Sequence, residues 1–215
     1  MIINHDHKLI FVHIPKTGGE FLRSLIPNQE DLPKHARAVD GREILGARLW
    51  NEYTTISIVR NPYDLVVSMY EHLRKPLKMP VRTYRKYGSL ILRPRRACKT
   101  AMLFPFKRYV EKVFLENQVQ EEYSRKPPVR HFDQQSTWIY DCENCLVDRI
   151  YHFESIGSFL TDYASIFPEY LDTRKRVNAS TRKSSFQDYY DEPTREIILN
   201  RYLEDFSHFG YEKSL

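Results

Sequence analysis

The sequence predicts an α/β fold: one domain of three layers, with a central parallel sheet flanked by helices. Three observations carry this. Short apolar, β-branched runs (Leu9–Ile14, Thr54–Val59 and Val147–Phe153) alternate with stretches of helical periodicity, the pattern of crossover-connected strands. The first run passes through a Pro/Gly turn directly into a helical segment. The composition also suits one well-filled core. The 215 residues are 41% hydrophobic and 28% charged, and include 15 Tyr and 12 Phe, which excludes a disordered or collagen-like chain.

Leu9–Ile14 reads as a buried strand because the run is continuously apolar rather than alternating. Pro15-Lys16-Thr17-Gly18-Gly19 breaks it, and Glu20–Ile26 forms the following helix, stopped by Pro27. Gly41–Tyr53 carries Ile44, Leu45, Leu49 and Trp50 at helical spacing before the second strand, Thr54–Val59. Asn61 as cap, Pro62 at the first helical position and Asp64 in the first turn start a helix running to about Leu73. Pro76, Pro80, Pro94 and Pro105 then interrupt a basic segment holding one or two short helices. Phe106–Glu116 is helical again. The third strand, Val147–Phe153, precedes an amphipathic helix over Ser155–Phe167 and a polar loop over Tyr170–Ser185. Asp191 and Pro193 open a last helix, which extends to Phe209 and ends at Gly210.

In a parallel sheet, ligands gather beyond the carboxyl ends of the strands, and two such ends here are rich in chemistry. At Pro15–Gly19, glycines let backbone N–H groups turn toward an anion, and Lys16 adds a full charge. This is not a Walker A loop, because GxxxxGK[ST] is absent and the lysine precedes the glycines. The bland alternative is a tight strand-to-helix turn. At the second strand end stand Arg60 and, eight residues on, Ser68. That interval is a little over two helical turns, so Ser68 lies near the face presented at the helix start. A guanidinium fork and a hydroxyl suit a phosphate. The alternatives are a structural ion pair and a small packing residue.

Together, strand–PKTGG–helix followed about forty residues later by strand–RNPYDLVVS–helix resembles sulfotransferases that use 3′-phosphoadenosine 5′-phosphosulfate (PAPS), most closely their carbohydrate-type branch. The likeness continues through His35-Ala36, Gln135-Ser136, Trp138-Ile139, Phe153-Glu154, Val177-Asn178-Ala179-Ser180, Asp188-Tyr189-Tyr190-Asp191, Asp205 and Phe209-Gly210-Tyr211. It covers nearly the whole chain and is weakest in the basic segment. It implies a P-loop NTPase-like three-layer fold and sulfuryl transfer from PAPS, leaving adenosine 3′,5′-bisphosphate, with no metal required. Carried over by position, Lys16 contacts the phosphosulfate and stabilises charge on the bridging oxygen. Thr17, Gly18 and Gly19 supply loop contacts to the 5′-phosphate, and Arg60 and Ser68 hold the 3′-phosphate. Arg182 or Lys183 reaches a phosphate from the polar loop, or is solvated there. One departure stands out: where family loops often continue with hydroxyl residues, this chain has Glu20 and Phe21.

Sulfuryl transfer, like phosphoryl transfer, depends on alignment, charge stabilisation and a base for the acceptor. His35 is the leading base by resemblance, and Glu20 is the rival. His13, inside the first strand, reads as a core histidine. Glu154 either caps the helix starting near Ser155, the favoured reading, or orients loops by hydrogen bonding. Cys142 and Cys145 form a lone CxxC in a turn before the third strand, short of the four ligands of a structural zinc site. Asn178-Ala179-Ser180 is a glycosylation sequon only in a secretory compartment.

The net charge of +5 hides a segregation. Arg74–Arg108 holds 12 Lys/Arg and no Asp or Glu, while the rest carries 21 basic against 28 acidic residues. This stretch is either a solvated loop or a surface for an anionic acceptor, such as a uronate-bearing or already sulfated glycan. Two other classes compete: a polyanion (heparin-like or nucleic acid) binder using this stretch, which leaves KTGG and RNPYDLVVS without a purpose, and a nucleotide phosphotransferase, which lacks a Walker lysine. Nucleic acid is not an expected partner of the enzyme. No apolar run approaches the ~20 residues of a bilayer span, and Met1–Lys8 has no signal-peptide core. The expectation is a cytoplasmic enzyme, with the Golgi lumen as the alternative for a trimmed piece of an anchored protein.

Overall fold

The structure, a computed structural model, describes residues 1–33, 36–74, 96–116, 132–166 and 184–215. It resolves into two compact units, Met1–Asn61 with His131–Ala179, and Pro62–Arg130 with Ser180–Leu215.

The first unit is built on a five-stranded sheet. Its strands are β1 (Ile2–Asn4), β2 (Leu9–Val12), β3 (Gln29–Asp31), β4 (Thr54–Val59) and the later strand Arg149–His152, in the order β3-β1-β2-β4-(149–152). The predicted parallel centre is present. β2 pairs in parallel with β4, which pairs in parallel with 149–152. Two antiparallel strands extend one side, β1 against β2 and β3 against β1. Sequence reading missed both because each has three residues, and Gln29-Glu30-Asp31 carries none of the apolar side chains that mark a buried strand. Asp148 fixes the central pairing: its Oδ2 accepts from the Thr55 amide at 2.7 Å and from the Thr55 hydroxyl at 2.8 Å.

Helices flank the sheet. α1 (Gly19–Leu25) and the helix Ile156–Asp162 bring Leu22, Leu25 and Phe159 onto Leu9, Phe11, Ile56, Ile58 and Tyr151. The predicted helix over Gly41–Tyr53 is two helices, α2 (Ala38–Leu45) and α3 (Ala47–Glu52), parted at Gly46 with φ 78°. A short hairpin, β5 (Tyr140–Asp141) and β6 (Asn144–Cys145), places Cys142 in its turn at φ 54°. Both Cys142 and Cys145 are exposed and free, and among the described residues no group of three or more His, Cys, Asp or Glu side chains gathers as metal ligands. The strand at 149–152, hereafter β7, follows this hairpin.

The second unit centres on α4 (Pro62–Leu73), which matches the predicted bounds and is buried along most of its length. Its core is aromatic. Tyr63 packs on Tyr190 and Phe206 with ring centroids 5.2 and 4.9 Å apart, and Tyr70 packs on Phe106 at 5.2 Å. Every hydroxyl placed there needs a partner. Tyr63 donates to the Lys213 carbonyl, Tyr70 to that of Phe104, and Tyr190 to that of Tyr63. The predicted single helix over Asp191–Phe209 is two, Glu192–Arg201 and Leu203–His208, broken at Tyr202 with φ −115°. The break is invisible in the sequence because the buried i, i+4 row Ile198, Tyr202, Phe206 continues through it.

Asp191 caps the first of these helices. Its carboxylate accepts from the Thr194 amide at 3.1 Å and the Thr194 hydroxyl at 2.6 Å, and Lys107 approaches to 3.0 Å. Hydrogen bonding from Thr194 and then Lys107 lowers its pKa from 3.8 to about 2. A carboxylate depressed in the folded state contributes stability above its unfolded pKa and loses it as pH falls through the folded one. The stability difference between wild type and Asp191→Ala should therefore be constant above pH 4 and shrink between 3.8 and about 2. Acid denaturation of both proteins checks this, and a difference undiminished at pH 2 would refute it.

The basic segment reads differently in three dimensions. Residues 75–95 lie outside the described residues. Within the second unit, Arg74 lies 3.6 Å from Glu71 and over the Tyr70 ring, Lys107 meets Asp191, and Arg108 meets Glu111 and Glu116 at 2.6 and 3.1 Å. Carboxylates remote in sequence, or just beyond the stretch, thus neutralise cations that look unopposed along the chain.

Candidate functional site

The chemistry predicted for the first strand end sits in a loop of unusual backbone. After β2 the chain runs through buried His13 and Ile14 and turns at Pro15–Gly18. Lys16 has φ 71° and Gly18 φ 91°, both left-handed, with Thr17 between them. Glycine accepts such a value at no steric cost, but lysine does so only where its surroundings enforce it. Left-handed residues alternating with one of negative φ, as Thr17 is here, are a backbone form that makes anion-binding concavities of consecutive N–H groups. Thr17 is fully buried and donates its hydroxyl to the Ile14 carbonyl at 2.9 Å. It therefore braces the loop from inside, and its amide is the group it can offer a ligand.

The two glycines are explained by what lies against them. A Cβ on Gly18 would stand 3.0 Å from Phe153 Cε2. A Cβ on Gly19 would fall inside the imidazole of His13, overlapping Nε2 and Cδ2. His13 is thus a packing residue, as expected. It stacks on Phe11 (centroids 5.9 Å, 21° between planes) and fills the space that the missing side chain leaves. Glu20 is exposed in the first turn of α1.

Arg60 follows β4, the strand beside β2, and is only 7% exposed. A buried guanidinium demands hydrogen bonds and a favourable face. Its Nη1 donates to the Lys16 carbonyl at 3.0 Å, and its Cζ lies 4.4 Å from the centroid of the Phe153 ring. Its backbone is held as well. The Arg60 amide donates to Gln135 Oε1 at 2.9 Å, and Gln135 Nε2 donates back to the Arg60 carbonyl at 2.8 Å. The next amide, Asn61 N–H, donates to Glu154 Oε1 at 2.7 Å. This corrects the reading of Glu154 as a helix cap. The helix at Ile156 has Ser155 as its cap residue with no side-chain cap bond, while Glu154 orients the Arg60 loop.

The structure therefore joins Lys16, Thr17, Gly18, Gly19 and Arg60 in the first unit. Ser68 lies in the second unit, half-buried on α4. His35, Arg182 and Lys183 lie outside the described residues, as do Asn178 and Ser180. Gln135 and Phe153 were visible in the sequence only as fragments of a resemblance, and Glu154 was read besides as a helix cap or loop-orienting residue. Their signal was position, since each lies at or near the end of a segment that meets a strand terminus.

Against known families, the model described as the sulfotransferase family matches residues 1–212. The chain belongs to the sulfotransferase family. No curated protein and no solved structure gives a significant match. This sulfotransferase is accordingly a transferase of sulfuryl groups, and its family implies an activated sulfate donor such as PAPS. The carbohydrate-type likeness is consistent with the match. Among the described residues, no helix is long and apolar enough to cross a membrane.

Proposed function

We propose that this sulfotransferase takes its sulfuryl group from PAPS and passes it to a hydroxyl or amine of a carbohydrate acceptor. The observation that carries the reading is the bond between the two loops. The left-handed Lys16 loop closes β2, Arg60 closes the adjacent parallel β4, and the guanidinium holds the Lys16 carbonyl. Neighbouring carboxyl ends of parallel strands are where such folds bind nucleotides.

On this reading the loop amides of Thr17–Gly19 and the Lys16 ammonium offer fixed positive potential to the phosphosulfate. Being preorganised, they need little rearrangement as charge develops on the bridging oxygen. The bound donor supplies an activated sulfuryl group with a phosphate as its leaving group. Arg60 takes the 3′-phosphate through its guanidinium. Ser68 is assigned to that phosphate, and Arg182 and Lys183 to nucleotide contacts, on resemblance alone. His35, or else exposed Glu20, receives the acceptor's proton. Arg74–Arg108 is the proposed approach surface for an anionic acceptor; the ion pairs of Arg74, Lys107 and Arg108 leave that task to the other cations of the stretch. A cytoplasmic setting is part of the proposal.

A ligand that binds only the folded state stabilises it by about 2.7 kcal/mol at a hundredfold excess over Kd. For a chain of this size, adenosine 3′,5′-bisphosphate should raise Tm by roughly 5–10 °C. Adenosine 5′-monophosphate, lacking the 3′-phosphate, should raise it much less. An unchanged Tm at saturating bisphosphate would overturn the PAPS reading.

A further inference from the structure

We propose that Phe153, Glu154 and Gln135 are positioning residues that hold Arg60 against the Lys16 carbonyl, so that the shape of the anion-binding loop is set through Arg60 rather than by the loop alone. The inference rests on the reading of this loop as the nucleotide site. Four contacts carry it. Gln135 takes both backbone polar groups of Arg60, standing in for the neighbouring strand that β4 lacks at that point. Glu154 takes the following amide. The Phe153 ring lies under the guanidinium carbon at 4.4 Å and also stands against Gly18, so one ring contacts both loops. Arg60 then delivers its Nη1 proton to the carbonyl of Lys16, a residue whose left-handed backbone has no local preference to sustain it. An arginine held at its backbone by Gln135 and at its guanidinium by Phe153 and the Lys16 carbonyl has lost much of its rotamer freedom before any ligand arrives, which is what preorganisation requires.

The consequence is a chain of dependence, from Phe153 through Arg60 to Lys16, and it is testable without ligand. In the nucleotide-free protein, amide hydrogen exchange over Lys16–Gly19 should quicken about tenfold in Phe153→Leu, the size expected when a partly desolvated cation–aromatic contact is lost. Arg60→Ala should quicken it at least as much. The double variant should be no faster than Arg60→Ala, because Phe153 acts through Arg60. Phe153→Tyr, which keeps the aromatic face, should stay within about twofold of wild type. Glu154 is exposed, so Glu154→Ala cannot fail by unfolding a core; it should show a smaller rise that also vanishes in the Arg60→Ala background. A merely structural Phe153 would lower Tm and add its effect to that of Arg60→Ala, and that outcome, or unchanged exchange in Phe153→Leu, would overturn the proposal. Calorimetric titration with adenosine 3′,5′-bisphosphate separates the two levels. Wild type that fails to bind it refutes the nucleotide reading and leaves the exchange result standing. Intact binding with unchanged exchange refutes the positioning role alone.

Discussion

Lys16→Gly should reduce sulfuryl transfer by at least about a thousandfold and leave the protein as stable as wild type. The two halves of this expectation have separate causes. Removing one preorganised charge-stabilising group from a transfer site costs about 10²–10³ in rate, and a full ammonium beside a developing anion exceeds a neutral donor. Stability is kept, since glycine adopts φ 71° without the steric cost that lysine bears there, which offsets the greater freedom it gives the unfolded chain. Lys16→Ala loses the charge while keeping the strain, so its activity should match the glycine variant and its Tm should lie below it. Arg60→Ala should be equally inactive but less stable by about 1–3 kcal/mol, because it leaves the Lys16 carbonyl without its guanidinium donor and bares the Phe153 ring. A transfer assay with PAPS, paired with thermal denaturation, reads both halves. Near-wild-type turnover in Lys16→Gly would remove Lys16 from the site.

Gly19→Ala should be the most destabilising single methyl in the first unit. The new Cβ would occupy the imidazole of His13, which is 5% exposed and has Phe11 stacked behind it. The ring cannot yield toward a side chain already in contact, so the collision passes into β2 or lifts α1 from the sheet. Overpacking of this kind costs about 3 kcal/mol, a fall in Tm of roughly 6–12 °C. The test has an internal control. His13→Ala vacates the space, so His13→Ala/Gly19→Ala should be more stable than Gly19→Ala alone although it carries one more core mutation. Gly19→Ala with unchanged Tm would mean that the histidine does not fill this space.

The parallel centre of the sheet was legible because Leu9–Val12 and Thr54–Val59 are continuous apolar runs, and burial on both faces leaves that mark. Its antiparallel margin was not, because Gln29–Asp31 is polar and three residues long. Lys16, Gly18 and Arg60 could be picked out as residue types placed at strand ends, the level at which sequence speaks about chemistry. What sequence could not convey is direction. Thr17 belongs to the same motif, yet its hydroxyl turns inward to Ile14. Gly19 is dictated by His13, six residues earlier just past the preceding strand, and no local rule for turns contains that contact. Glu154 stands where a helix cap belongs and instead serves an amide 93 residues away. The charge pattern misled in the same way, because Lys107 finds its carboxylate at Asp191, far outside the basic stretch.

The Gln135 amide, which completes the end of β4 from 75 residues downstream, bears on how the protein comes into being. A ribosome delivers both motifs, PKTGG and RNPYDLVVS, within the first third of the chain. At that moment the nascent polypeptide carries every residue of the two loops and none of the groups that seat Arg60. Gln135, Phe153 and Glu154 all emerge later, and contacts so distant in sequence form late because long loops must close first. The anion-binding loop is therefore a product of the nearly finished fold, and newly made chains pass through a large part of their synthesis with the signature present and the site unbuilt.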